Sequence, residues 1–573
     1  MKDPRDYPLF VRGDRTLLLE TDHPRFDEAR TALLSFAELV KSPDHLHTYR
    51  MTPLSIWNAC SAGVAAERIL HILHEFSKYG VPPAIERLIC DYASRYGKVR
   101  MRQTAGELVL ETDDSVLAEE ISGVESVRKL LLDRLGPVTF SLRPGDRGHL
   151  KQAMIRIGYP VADLAGFASG ESLQISLKTV CRKGEFGLRS YQQEAVDVFH
   201  ASGTIRGGSG VIVLPCGAGK TVVGIGIMAA TGNCTLVLTT STTAVHQWRE
   251  EILDKTDLRA DQIGEYTGFE KEIRPVTITT YQIMTYRKKK ADEFSHFRLF
   301  SERNWGLVIY DEVHLLPAPV FQMTARIQTK RRLGLTATLV REDGREDDVF
   351  ALIGPKKADI PWKVMEEQGW IARAVCTEIR VAMSEKERLN YAVAPRRFKF
   401  RAASENSEKA EVIREIIVRH SAESVLVIGT YVDHLESLAG ELKAEILTGK
   451  TPQKKRERLF NDFRSGNLRV LFVSKVANFA VDLPDASCAI QISGTFGSRQ
   501  EEAQRLGRIL RPKKGNRQAH FYTLVTRNTL EQDFALKRQL FLCEQGYRYE
   551  IFDEEDWRNA GMSRAGEAHY AIA

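Results

Sequence analysis

Val211-Ile212-Val213-Leu214-Pro215-Cys216-Gly217-Ala218-Gly219-Lys220-Thr221 decides how this chain is read. Its first four residues are apolar and mostly β-branched, which suits a strand buried on both faces, and Val222-Val223-Gly224-Ile225-Gly226 continues beyond the glycines with helical character. In a strand–loop–helix of this kind backbone N–H groups curl around phosphate oxygens, and the helix N-terminus adds partial positive charge. Pro215, Cys216, Gly217, Ala218 and Gly219 then form the cradle, Lys220 reaches the β- and γ-phosphates, and Thr221 ligates Mg²⁺. The strict pattern G-x-x-x-x-G-K-[ST] has glycine where this chain has Leu214, so the loop alone is also compatible with a plain strand-turn-helix.

A second apolar run, Leu307-Val308-Ile309-Tyr310, ends in Asp311-Glu312-Val313-His314. Carboxylates at the carboxyl end of a neighbouring strand are placed to hold a metal and to orient or deprotonate an attacking water. Asp311 is the metal-side candidate and Glu312 the water-side one; the competing reading, an acidic turn capping the next helix, loses ground once the upstream loop is considered. Further on, Gln504-Arg505-Leu506-Gly507-Arg508-Ile509-Leu510-Arg511 puts Arg508 and Arg511 on one helical face. In isolation these are solvated arginines. Paired with a phosphate loop in another domain they become fingers that stabilise charge on a transferring phosphoryl group. Together these parts describe an ATPase with its site split between two domains.

The wider chain fits that description. From residue 186 short β-type runs alternate with helix-length segments (Leu236-Val237-Leu238, Val276-Thr277-Ile278, Leu307 to Tyr310), and a second series starts at Val425-Leu426-Val427-Ile428 and includes Val470-Leu471-Phe472-Val473. The pattern predicts an α/β fold of two tandem parallel-sheet domains. Before residue 185 helices and short strands mix, as in a smaller α+β region; Ile69, Ile72, Leu73 and Phe76 form one helical stripe. Across 573 residues, 81 basic and 75 acidic side chains leave a formal charge of +6, too slight to argue for nucleic acid. Eight scattered cysteines with no C-x-x-C pair argue against a disulfide scaffold or cysteine zinc site. No apolar run approaches 18 residues and the amino terminus has no apolar leader, so no membrane is involved and a cytoplasmic location is expected.

The order of these motifs resembles superfamily two helicases, and the details are similar to the XPB family of DNA helicases. Leu188-Arg189-Ser190-Tyr191-Gln192 resembles the adenine-side segment, which makes Gln192 the base reader. Leu335-Thr336-Ala337-Thr338 resembles the coupling motif, and Arg341-Glu342-Asp343 the strand-separating R-E-D element. Residues 384–406, including Arg396-Arg397-Phe398-Lys399-Phe400-Arg401, lie where the family inserts a DNA-gripping thumb. Lys537-Arg538-Gln539 with Gln545-Gly546-Tyr547 is like the carboxyl-terminal signature, and Tyr49 to Ser55, Tyr79 to Pro83 and Tyr96 to Val99 look like the amino-terminal and damage-recognition region. The resemblance implies RecA-like helicase domains, ATP and Mg²⁺ as cofactors, DNA as partner, and coupling roles for His314, Thr336, Thr338 and Asp482. It also implies a catalytic role for Gln504 beside Lys220, Asp311, Glu312, Arg508 and Arg511. Family members work with nuclease or repair-complex proteins.

The expected boundaries are 1–50 for an amino-terminal extension, 51–147 for a damage-recognition-like domain, 148–185 for a linker, 186–365 and 366–550 for the helicase domains, and 551–573 for a tail. Basic runs such as Arg287 to Lys290 and Lys454 to Arg456 are commonly solvated faces. Phe398 and Phe400 set the segment 396–401 apart: aromatic rings stack on bases while Arg396, Arg397, Lys399 and Arg401 neutralise phosphates. As a β-strand it would carry the aromatics on one face and most cations on the other. The expected activity is ATP-dependent 3′ to 5′ DNA unwinding or translocation, in nucleotide excision repair or DNA opening. Two rivals are a duplex translocase that does not separate strands, and an ATP-switched DNA-binding module. The latter is slightly favoured by Asn478-Phe479-Ala480, which stand where the family has acidic, Thr and Ser residues.

Overall fold

The computed structural model describes residues 6–559 apart from 42–44, 105, 183, 205–206, 216, 288–295, 297, 328–329, 338–345, 361–364, 367, 369, 371, 475–485, 495–517, 545–546 and 548. The chain forms two compact units, one of residues 1–214 with 219–360 and one of residues 215–218 with 361–573.

The first unit opens with an antiparallel four-stranded sheet, in the order Leu9–Val11, Thr16–Glu20, Leu46–Arg50, Glu38–Lys41. Helices follow at Pro53–Ser61, Ala66–Phe76 and Pro83–Arg95. Pro53 at the first helical position and a capping box between Thr52 and Ser55 fix the start of the first of these. In the second, Ile69, Ile72, Leu73 and Phe76 are the buried stripe that the spacing predicted.

Next comes a five-stranded sheet, Leu131–Gly136, Thr139–Leu142, Glu107–Thr112, Val99–Thr104, Val161–Asp163. The last of these strands pairs parallel with Val99–Thr104, and Leu150 and Met154 from helix Arg147–Arg156 enter the core of this sheet. Residues 148–185 are therefore not simply a linker, because residues 148–163 complete a domain. A buried charge cluster fastens this part. Asp163 accepts from Arg147 Nε at 2.9 Å and Nη2 at 2.6 Å and from Lys151 Nζ at 3.2 Å. Arg332, fully buried on a strand of the next sheet, adds a third cation to the same cluster. Beyond residue 165 the chain runs along that next sheet, bridging Ser172 to Asn233 and Leu177 to Thr256.

That sheet has seven parallel strands in the order Ile263–Tyr266, Val276–Thr280, Thr235–Thr239, Leu307–Asp311, Arg331–Thr336, Ser209–Val213, Lys356–Asp359. The apolar runs read from the sequence are its central strands, buried on both faces as parallel strands under helical crossovers must be.

The second unit repeats the plan, with parallel strands in the order Glu445–Leu447, Val470–Ser474, Val425–Gly429, Cys488–Gln491, Ala519–Thr526, Ala374–Val381, Tyr549–Asp553. Its core gathers Ile379, Ile413, Ile416, Val427, Phe472 and Ile490. Lys409 and Glu531 form a fully buried ion pair there, Nζ to Oε2 at 2.8 Å. Residues 384–406, where the resemblance places the thumb, contain two helices, Glu385–Val393 and Arg396–Ser404. The first starts on a Ser384/Glu387 capping box. Among the described residues no helix is long and apolar enough to cross a membrane.

Candidate active site

Strand Ser209–Val213 runs out at Leu214, whose N–H donates to the Thr336 carbonyl at 2.9 Å, and helix Lys220–Thr231 starts directly after Gly219. Gly219 has φ +83°, a left-handed conformation glycine adopts without penalty, and a Cβ there would lie 2.6 Å from Gln192 Nε2. The last loop glycine thus seats the Gln192 amide. Gln192 is buried at the start of helix Ser190–His200, where its Oε1 accepts from the Arg189 N–H at 3.0 Å. Lys220 and Thr221 occupy the first helical turn, the end of a helix that favours anions.

Opposite stands the carboxyl end of strand Leu307–Asp311. Lys220 Nζ lies 2.9 Å from Glu312 Oε1. Trp248 Nε1–H donates to Asp311 Oδ2 at 2.9 Å, and the Tyr281 hydroxyl donates to the Asp311 carbonyl at 2.9 Å. Glu312 has φ +51°, a strained backbone for a residue with a side chain. His314 Nδ1 is 2.6 Å from Thr336 Oγ1 and 3.5 Å from Glu312 Oε2, linking the carboxylate to the strand that ends in the coupling motif.

The two carboxylates are pushed apart in acidity. Burial and the neighbouring Glu312 charge raise the Asp311 carboxyl to about 6, against the Trp248 hydrogen bond and the Lys220 ammonium. Burial also works on Glu312, yet Lys220 and His314 hold it below the usual range. Carboxylates of unequal acidity beside a helix-borne lysine can bind a phosphate-linked divalent cation and keep a second, ionised oxygen pair for a water. Asp311 and Thr221 carry oxygens of the hard kind that Mg²⁺ takes, so these residues would fit that ion.

Of the residues singled out from sequence, the fold brings together Gln192, Gly219, Lys220, Thr221, Asp311, Glu312, His314 and Thr336. Pro215, Gly217 and Ala218 lie in the connecting loop. Cys216, Thr338, Arg341, Glu342, Asp343, Asp482, Gln504, Arg508 and Arg511 lie outside the described residues, as do Asn478, Phe479 and Ala480. Trp248 and Tyr281 were not foreseen. The one sequence clue to Trp248 is a lone indole in a helix after a buried strand, whose N–H must find an acceptor.

In the second unit, residues 396–401 form a helix rather than the strand considered from sequence, and the expected two-faced split does not hold. Phe400 is buried, edge-on to Phe534 with centroids 5.1 Å apart, and serves the core. Phe398 remains exposed, with the Arg397 guanidinium 4.7 Å from its ring centre. Lys399 sits 5.1 Å over Tyr391. Arg401 is tied to Glu405 at 2.8 Å and Asp433 at 3.4 Å.

Comparison with known proteins extends this picture. A family model described as "ERCC3/RAD25/XPB C-terminal helicase" matches residues 365–570, one described as "Type III restriction enzyme, res subunit" matches 185–341, and one described as "Helicase conserved C-terminal domain" matches 9–136. A Kineococcus radiotolerans protein named DNA 3′-5′ helicase XPB is 51% identical over 96% of this chain and 97% of its own length. The Mycobacterium tuberculosis protein of the same name is 50% identical over 96% and 98%. A general transcription and DNA repair factor IIH helicase/translocase subunit XPB from Enterocytozoon bieneusi is 32% identical over 96% and 93%.

Proposed function

The chain belongs to the XPB family of DNA helicases, and on that premise we propose that it hydrolyses ATP with Mg²⁺ to move 3′ to 5′ on DNA and open the duplex, in nucleotide excision repair. Lys220 with the loop 215–219 binds the phosphates, Gln192 reads the base, Thr221 and Asp311 hold the metal, and Glu312 orients the attacking water. Bound Mg²⁺ neutralises charge on the phosphates. Gln504, Arg508 and Arg511 have catalytic roles, and Arg508 and Arg511 stabilise the transferring phosphoryl group. His314, Thr336, Thr338 and Asp482 pass nucleotide state to DNA, which Arg341, Glu342 and Asp343 split and Arg396, Arg397, Phe398, Lys399 and Arg401 grip. Residues 186–365 and 366–550 serve as the two helicase domains, and a nuclease or repair-complex protein is the partner class.

The observation that carries this reading is the closure of Lys220 on Glu312 beside Asp311, in a chain half identical to DNA 3′-5′ helicases over almost its whole length. The test is ATP hydrolysis against single-stranded, duplex and forked DNA, together with strand displacement on a fork. DNA-stimulated hydrolysis with displacement is expected. Stimulation by duplex without displacement would replace the helicase by a duplex translocase, and binding without stimulation by an ATP-switched module.

A further inference from the structure

Trp248 is 1% exposed, and its single N–H ends on Asp311 Oδ2 at 2.9 Å. It rides on helix Thr242–Lys255, whose start is fixed by Ser241 Oγ accepting from the Ala244 N–H at 3.2 Å. The far edge of the ring rests on helix Lys220–Thr231, where a Cβ on Gly224 would lie 2.5 Å from Cη2 and 3.2 Å from Cζ3. Glycine is unfavourable in a helix interior, so its presence there needs a spatial reason, and the indole provides one. Asp311 is therefore held twice, by Tyr281 at its carbonyl and by Trp248 at its side chain. The indole takes Oδ2 and restrains the rotation of the carboxylate, on which the Glu312 N–H also acts.

We infer that Trp248 is a positioning residue for the metal-side carboxylate and that Gly224 is the notch that seats it. The inference rests on the reading of Asp311 as a metal ligand. A donor behind a ligating carboxylate sets its direction, and loss of such partners weakens metal affinity by about 10- to 100-fold.

The test is Mn²⁺ affinity, read by electron paramagnetic resonance on the full chain with a non-hydrolysable ATP analogue, so that turnover plays no part. Trp248→Phe keeps an aromatic ring and removes only the donor. It should weaken Mn²⁺ binding about tenfold and leave metal-free nucleotide affinity unchanged. Gly224→Ala, a milder change that also serves if the first variant folds poorly, should give the same loss by displacing the ring. In the Trp248→Phe background Gly224→Ala should add nothing, because the shorter ring does not reach the notch. Wild-type Mn²⁺ affinity in Trp248→Phe, beside a large loss in Asp311→Asn, would overturn the positioning role alone. Equal harm from Gly224→Ala in both backgrounds would overturn it too. Unchanged affinity in Asp311→Asn would remove the metal-ligand reading and the inference with it.

Discussion

The Lys220 ammonium and the Glu312 carboxylate face each other at 2.9 Å, both with less than a fifth of the side chain exposed. In the proposed roles, the cation that would meet a phosphate is thus already paired with the anion that would meet a water. An incoming phosphate has to compete with Glu312, and on winning sets that carboxylate loose.

Glu312→Gln should therefore bind ATP more tightly, by a few-fold, while hydrolysis falls by roughly 10² to 10⁴, the usual worth of a positioned base. Titration with a fluorescent nucleotide and single-turnover hydrolysis measure the two separately. Weaker binding would mean that Glu312 supports the metal or the fold instead.

Arg508→Ala and Arg511→Ala should each lower kcat much more than they raise KM, since a finger acts mainly on the transition state, where such groups contribute roughly 10³ to 10⁵ in rate. A variant that changes KM alone loses the finger assignment.

The cluster around Asp163 makes a prediction about pH. Three cations surround one carboxylate, and Arg147 alone already satisfies both of its oxygens. Burial pulls the Lys151 ammonium down to about 7, more than Asp163 can offset. Its folded value thus lies below the unfolded value of about 10.4, so the folded chain holds fewer protons between those limits and gains stability as pH rises through them. Urea unfolding of the wild type should show this gain between about pH 7 and 10, and Lys151→Met should be more stable at pH 7 and lack it. Asp163→Asn should cost about 3–5 kcal/mol by leaving buried cations without their anion.

On the helix Arg396–Ser404 the cations are not equivalent. Arg401 already has carboxylate partners on both sides, so it should contribute least of the four cations to the grip, and Arg401→Ala should weaken DNA binding less than loss of any of the other three. Replacing Arg396, Arg397 and Lys399 together should weaken binding and lower the slope of log K against log salt by about 0.7–0.9 for each phosphate no longer neutralised. Basal hydrolysis should persist. An unchanged slope would make this helix a solvated face.

Both seven-stranded sheets were legible because parallel strands buried on both faces leave uninterrupted apolar runs: Val211 to Leu214 and Val425 to Ile428 need no context to be seen. The helices at 385–404 leave little pattern in the sequence: the first buries no residue fully, with Leu389 and Val393 exposed, and the second buries only Phe400, Ala403 and Ser404 at its end. Residues 148–163 were misread because a three-residue strand, Val161–Asp163, carries no periodicity of its own and is recognised only by its partner. Lys220, Asp311 and Glu312 are singled out by local motifs, and the fold brings Lys220 to Glu312. Trp248 and Tyr281 are not singled out, since hydrogen bonds to Asp311 from residues 63 and 30 positions away leave no trace in spacing.

Strand Ser209–Val213, which feeds the phosphate loop, is clasped between Arg331–Thr336 and Lys356–Asp359, the last two strands of its sheet to be made. On the ribosome it emerges long before either neighbour. At roughly 5–20 residues per second it waits on the order of ten seconds as an unpaired apolar segment. Unpaired apolar strands are what make nascent chains prone to aggregate, and a chain stalled before residue 331 would carry the whole loop 214–219 with neither neighbour of its strand yet made.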